Sequence, residues 1–259
     1  MVELSFNLVE FEYILLILVR IASLMFVAPF FSQGGVPAQA KIGISFFAAL
    51  ILYNVVPAPE LTYSGVVGYG IVVLKEGITG LLIGFAAYIC NSIVVFAGSL
   101  IDMDIGLSMA QEFNPDMSMQ VTSTGNLYYY LVFAMLLATN SHYYILRAVC
   151  DSFYVVPIGG AQFEWDSLLL SMTTYMTDLF VIGFRIFLPV FAVIMIMNCI
   201  MGVMVKVAPQ MNMFSIGIQI KILVGFTVLF LTIFLFPSVS NMVFNEIKKM
   251  VVLIIEGMY

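Results

Sequence analysis

The sequence predicts an all-α integral membrane protein, and three observations carry that expectation. Hydrophobic residues make up 63% of the chain and charged residues only 9%. The apolar residues come in long runs, and none of them alternates with the period of two that a transmembrane barrel requires. A soluble domain carries about 25% charged residues, so a chain with a mean hydropathy of +1.11 cannot clothe itself in polar surface. A bilayer, or a large assembly taking its place, has to solvate it. No polar stretch among the 259 residues is long enough for a second core, so a single membrane domain over 1–259 is expected. The net charge of -6 argues against nucleic acid as a partner.

The apolar runs follow in order. The first spans Tyr13 to Phe31 and ends in the breaker-rich Ser32-Gln33-Gly34-Gly35-Val36-Pro37; its start, with Glu3, Glu10 and Glu12, lacks the basic n-region of a cleavable signal peptide. The second, Ile42 to Val56, is short for a hydrocarbon core that needs about 20 helical residues. The third, Val66 to Ile101, is too long for one ordinary span and holds Lys75 and Glu76. A polar, Met-rich segment from Asp102 to Asn126 precedes a run from Leu127 to Val149 that contains Asn140, Ser141 and His142. Leu168 to Val205 is again very long, with Asp178, Arg185 and Pro189 inside it, and Met213 to Phe236 follows a loop centred on Pro209. Asn241 to Tyr259 places Val243, Ile247, Met250, Val251 and Ile254 at helical spacing, which predicts an amphipathic or interfacial helix. The positive-inside rule puts Lys41, Lys206 and Lys221 in cytoplasmic loops, and simple alternation of spans does not satisfy all these constraints. Breaks within the long runs, or helices that do not cross fully, are therefore expected.

Few residues offer chemistry. Arg20, Lys75, Glu76, Asp178 and Arg185 interrupt apolar runs, where each would cost about 2.5–3.5 kcal/mol if it faced lipid. They read as polar contacts between helices inside an assembly, or as snorkelling side chains, more readily than as an ion pathway, since no pair has the spacing of a relay. Asp102-Met103-Asp104 reads as a loop-entry cap; a cation needs several more converging oxygens. The single histidine, His142, excludes a multi-histidine site within the chain and reads as a helix-end residue. Cys90, Cys150 and Cys199 lie far apart in or beside apolar runs and read as small buried hydrophobes. Gly80 and Gly84 form a GxxxG spacing that lets helices approach closely. Pro29 and Pro189 are expected to kink their helices. No metal, cofactor or catalytic constellation is expected. The segment Asp102–Thr122 stands out, because Met103, Met109, Met117 and Met119 alternate there with Gly106, Ser108, Gln111, Asn114 and Pro115. Methionine suits surfaces that adapt to varied partners, although in a chain with 18 methionines a plain loop is the simpler reading.

Taken in order, these signposts resemble the FliR family of flagellar export proteins and their type III secretion counterparts. The resemblance rests on Arg20 through Pro29, Gly34-Gly35-Val36-Pro37, Lys75-Glu76 with Gly80 to Gly84, and Ala97-Gly98 with Asp102 and Gly106. It continues through Asn114-Pro115, Asn140-Ser141-His142, Asp151-Ser152-Phe153, Pro157-Ile158-Gly159 and Pro209-Gln210-Met211-Asn212-Met213-Phe214. Asn-Ser-His followed by Asp-Ser-Phe and Pro-Ile-Gly looks closer to the flagellar than to the virulence branch.

The resemblance implies a non-enzymatic subunit of a protein-export gate, multi-pass in the bacterial inner membrane at the flagellar basal body. It would sit with FliP-like and FliQ-like subunits, and with FlhB-like and FlhA-like proteins, and pass unfolded flagellar substrates. It implies kinked helical hairpins, with a FliP-like part over about 1–165 and a FliQ-like part over about 166–259. By the same resemblance Gly106 to Thr122, with Met109, Asn114, Pro115, Met117 and Met119, is a pore plug. Lys206, Pro209, Gln210, Asn212 and Lys221 would then lie on a hairpin tip facing the cytoplasm. The alternatives are a stand-alone secondary transporter or ion carrier, for which the halves show no convincing repeat, and the equivalent subunit of a virulence secretion system.

Overall fold

A computed structural model describes residues 8–29, 31, 36–56, 63, 65–108, 122–208, 210 and 213–259. Eight α-helices appear among these residues: α1 (Leu8–Val27), α2 (Ala38–Tyr53), α3 (Gly65–Ile105), α4 (Ser123–Ala138), α5 (His142–Val155), α6 (Trp165–Val207), α7 (Met213–Thr232) and α8 (Phe236–Glu256). A short 3-10 turn, Ile233–Leu235, joins the last two. No strand occurs among the described residues, and Gly65–Ile105, Trp165–Val207 and Ile216–Glu256 are each long and apolar enough to cross a membrane. The protein is an all-α membrane protein.

Several details differ from the sequence expectation. The two longest apolar runs are not broken: α3 continues for 41 residues and α6 for 43, through Pro189. At 1.5 Å per residue each is roughly 60 Å long, about twice the hydrocarbon thickness of a bilayer. Excess length, rather than interruption, is what defeats simple alternation of spans. Pro29 lies in the turn after α1, not inside a helix. The run from Leu127 to Val149 is two helices, because Asn140 adopts a left-handed backbone with φ of 57° between them. Asparagine tolerates that conformation better than most side chains do. Lys41 and Lys221 sit on helices α2 and α7 rather than in loops, and Lys41 is buried with its ammonium 5.6 Å from the Phe26 ring. Cys199 is exposed, in contrast to Cys90.

The chain forms two compact units. The first comprises Met1–Cys90, Asn140–Tyr175 and Glu246–Tyr259, the second Asn91–Thr139 and Met176–Asn245. In the first, α1 and α2 form an antiparallel hairpin. The Tyr13 hydroxyl near the start of α1 donates to the Val56 carbonyl just past α2, at 3.0 Å. Helix α3 lies parallel to α1, and the glycines at GxxxG spacing make the contact. A Cβ on Gly80 would stand 2.0 Å from the Arg20 carbonyl oxygen, and one on Gly84 3.0 Å from that of Leu24. The end of α8 belongs to this unit. Ile247, Met250, Val251 and Ile254 are buried there, so the apolar face expected at a membrane interface is covered by protein instead. Backbone bonds from Gln162 N–H to the Met258 carbonyl (3.0 Å) and from Glu164 N–H to that of Gly257 (3.1 Å) fix the chain terminus.

Gly80→Ala is expected to destabilise the protein by about 1–3 kcal/mol, because the clash is with backbone and cannot be relieved by a rotamer change. Gly43→Ala on α2, where an added Cβ meets nothing within 4 Å, should be neutral or stabilising by up to about 1 kcal/mol through helix propensity. Thermal unfolding of the detergent-solubilised variants distinguishes the two.

In the second unit Gly98 of α3 meets Gly125 of α4, and a Cβ on Gly98 would lie 2.2 Å from the Gly125 Cα. Phe96 packs edge-on against Phe180 and Phe184 of α6 with ring centroids 5.5 and 6.3 Å apart. Helices α6 and α7 run back to back, with Gly217 facing Met201, and α7 reaches α3 where Gly225 faces Ile105. Tyr128 of α4 meets Phe236 at the start of α8, centroids 4.7 Å apart.

Candidate functional site

Two of the five charges that interrupt apolar runs find each other inside the first unit. Arg20 and Glu76 are both fully buried, and the Arg20 Nε donates to Glu76 Oε2 at 2.6 Å. Arg20 Nη1 donates to the carbonyls of Ser152 (3.3 Å) and Val156 (2.9 Å) and lies 3.4 Å from Ser152 Oγ. Ser152 lies in the last turn of α5 and Val156 is the residue that caps it, at the end of the helix that carries partial negative charge; the Ser152 carbonyl also accepts the Val156 N–H at 2.8 Å. A guanidinium therefore caps the helix. The Phe153 ring covers it, 4.3 Å from the Arg20 Cζ.

Glu76 completes the arrangement from the other side: its Oε1 accepts the Gly159 N–H at 2.9 Å. Pro157 to Gly160 forms a tight turn closed by the Gly160 N–H to Pro157 carbonyl bond at 2.9 Å. Gly159 has φ of 78°, the positive value that the third residue of such a turn needs. The pair thus clamps the end of α5 and the following turn against α1 and α3. Four of the six resemblance-bearing stretches in this unit (around Arg20, Lys75-Glu76-Gly80, Asp151-Ser152-Phe153 and Pro157-Ile158-Gly159) converge on one network. Sequence reasoning read Arg20 and Glu76 as interhelical contacts or snorkelling side chains and missed Ser152, Val156 and Gly159 as partners, since main-chain donors and acceptors carry no side-chain signature.

The other three charges lie elsewhere. Lys75 is half-buried, and its neighbour Thr79 donates its hydroxyl to the Lys75 carbonyl at 2.9 Å. Asp178 is half-buried on α6 and Arg185 is exposed on the same helix, lining a cleft in the second unit with Tyr128, Pro189 and Thr232.

The second unit holds the neck of the Met-rich segment. Of the six residues expected to form a plug, Gly106 is described; Met109, Asn114, Pro115, Met117 and Met119 lie outside the described residues. Helix α3 stops at Gly106, whose φ of 92° ends the helix while its N–H bonds the Asp102 carbonyl at 3.1 Å. The chain returns at Thr122, and α4 starts with Ser123. Asp102 joins the two ends: its Oδ1 and Oδ2 accept the Thr124 N–H at 3.3 and 3.1 Å. This carboxylate from a different helix serves as the N-cap that Thr122, with no side-chain cap bond, does not supply. The sequence reading of Asp102 as a cap holds, although the helix it caps is α4.

At the α6–α7 hairpin, Lys206 lies exposed in the last turn of α6, where a cation complements the helix dipole, and Gln210 is exposed. Lys221 is half-buried on α7 and within electrostatic reach of Asp104. Pro209 and Asn212 lie outside the described residues.

Comparison with known proteins gives a consistent picture. The family described as bacterial export proteins, family 1, matches residues 11–247. The chain is 29% identical over 224 residues to the flagellar biosynthetic protein FliR of Bacillus subtilis, covering 85% of each chain. It is 24% identical over 230 residues to that of Escherichia coli, covering 89% of this chain and 87% of the other. With the Aquifex aeolicus protein it shares 25% identity over 235 residues, 89% and 88% of the two chains.

Proposed function

Because this chain belongs to the bacterial export proteins, family 1, we propose that it is a subunit of the flagellar protein export apparatus and forms part of the wall of its protein-conducting channel. One observation beyond the family match supports the reading. Large apolar side chains are exposed along α6 from Leu169 to Val207, a stripe of roughly 57 Å. A bilayer covers about 30 Å of that length. The remainder needs other protein, so the chain is built to be one part of an assembly.

The partners in this reading are FliP-like and FliQ-like subunits in the bacterial inner membrane at the flagellar basal body, alongside FlhB-like and FlhA-like proteins. Residues 1–165 play the FliP-like part and 166–259 the FliQ-like part, with the α6–α7 tip carrying Lys206 towards the cytoplasm and Lys221 lying two turns into α7. Gly106 to Thr122 is the plug. A conduit for many unfolded chains is best lined by uncharged, adaptable groups, and methionine, serine, asparagine and glutamine can seal when idle and yield when a chain passes. The chemistry is passage, without catalysis.

Mild detergent extraction should bring the chain out in a large complex with other small hydrophobic proteins; a lone monomer or dimer would overturn the proposal. Deleting Gly106–Thr122 should raise ion leak through the assembled complex. Met109→Asp or Met117→Asp should perturb gating more than a comparable change within Asp151–Asp166, as measured by conductance and by secreted flagellin.

A further inference from the structure

The proposed function leaves one built feature of the second unit unused. A cleft of about 320 Å³ opens between α4, α6 and the α7–α8 junction, lined by Tyr128, Arg185, Pro189, Thr232, Phe236 and Ser238. It lies where both long helical stretches lose backbone bonds. Pro189 has no N–H to give to the carbonyl one turn earlier, which is that of Arg185. On the other wall Pro237 follows the 3-10 turn Ile233–Leu235. The floor is rigid: Tyr128 is buried, packs against Phe236 and is hydrogen-bonded to Thr232. The Thr232 hydroxyl donates to the Leu229 carbonyl at 3.1 Å, and Arg185 forms no ion pair among the described residues.

Arg185 stands near the middle of the 43-residue α6, roughly 30 Å from either end. Exposed Phe184 and Leu188 flank it, and Val181 precedes it by one turn. An exposed guanidinium in the middle of an apolar stripe is poorly solvated by hydrocarbon. What fits is a surface that is apolar around one anionic group, and a bidentate acceptor matches the guanidinium fork best.

We propose that the Arg185 cleft is the docking site for a carboxylate-bearing apolar helix of a neighbouring subunit, which inserts an Asp or Glu side chain against Arg185. This rests on the reading of the chain as one part of an assembly. It adds the place and chemistry of one contact.

The test uses the full chain expressed with its native partners, comparing wild type with Arg185→Glu, Arg185→Lys and Arg185→Met. Membrane levels of each variant are measured beside incorporation into the detergent-extracted complex. Arg185→Glu should reduce incorporation on the order of tenfold or more at unchanged membrane level, Arg185→Met less, and Arg185→Lys least. Selection for restored motility in the Arg185→Glu strain should yield an acidic residue of a partner's apolar helix changed to Lys or Arg, and that change alone should impair the wild type. Normal incorporation of Arg185→Glu overturns the proposal. So does an intact Arg185→Met complex that has lost a bound anionic lipid by native mass spectrometry, since the ligand is then a headgroup phosphate. A wild-type chain that enters no complex at all would instead overturn the assembly reading.

Discussion

Removing either member of the buried Arg20–Glu76 pair alone is expected to destabilise the first unit by about 3–5 kcal/mol, because the partner is left charged and uncompensated in the interior. Arg20→Met strands Glu76 with a single main-chain donor, the Gly159 N–H. Glu76→Met strands a guanidinium that still has the Ser152 and Val156 carbonyls, so the arginine variant should be the worse of the two. The double variant Arg20→Met/Glu76→Met removes both charges while keeping most of the volume. It should recover much of the loss, since well-packed apolar replacements of buried ion pairs are commonly tolerated. A residual deficit should remain, because the end of α5 loses its cap. Thermal unfolding of the solubilised protein, with trypsin susceptibility of the turn around Gly159, reads both effects. A double variant as damaged as the sum of the singles would mean that the two residues act separately.

The clamp also shows what the sequence made legible. Composition alone determined the class, and the glycines at 80 and 84 announced a helix contact that α1 fills. The charges Arg20 and Glu76 were visible as misfits in apolar runs, for the physical reason that lipid cannot hold them. Their pairing was not visible, because 56 residues separate them and neither has a neighbour at helical spacing to suggest a partner. Helix ends were read less well. Run length counts apolar residues, whereas α3 and α6 end where backbone geometry permits, past any run that a bilayer requires. The break at Asn140 depends on one left-handed residue, which hydropathy does not register. The amphipathic pattern of α8 was read correctly as a face, but a periodic apolar face looks the same whether lipid or protein covers it.

The second large effect is expected at the neck. Gly98→Ala would drive a methyl group to 2.2 Å from the Gly125 Cα and 2.4 Å from its N. Both atoms are main chain, so α3 and α4 have to separate, at a cost of about 1–3 kcal/mol or more. Separation also lengthens the Asp102 to Thr124 bonds, so the variant loses its helix cap along with its packing. Gly125→Ala is the informative contrast. Its methyl group would meet the Thr122 Oγ1 at 2.1 Å first and the Val95 carbonyl only at 3.1 Å, and a hydroxyl can rotate away where a backbone cannot. Asp102→Ala removes the cap alone and should cost about 1 kcal/mol. Asp102→Asn keeps a carbonyl acceptor and should cost less. Stability should therefore fall in the order Asp102→Asn, Asp102→Ala, Gly98→Ala. If Gly106 to Thr122 is the plug, conductance of the idle complex should rise in that same order, because all three changes loosen the two points from which the loop hangs. Conductance that stays at the wild-type level while stability falls would separate the neck from the gate, leaving Asp102 with a purely structural role.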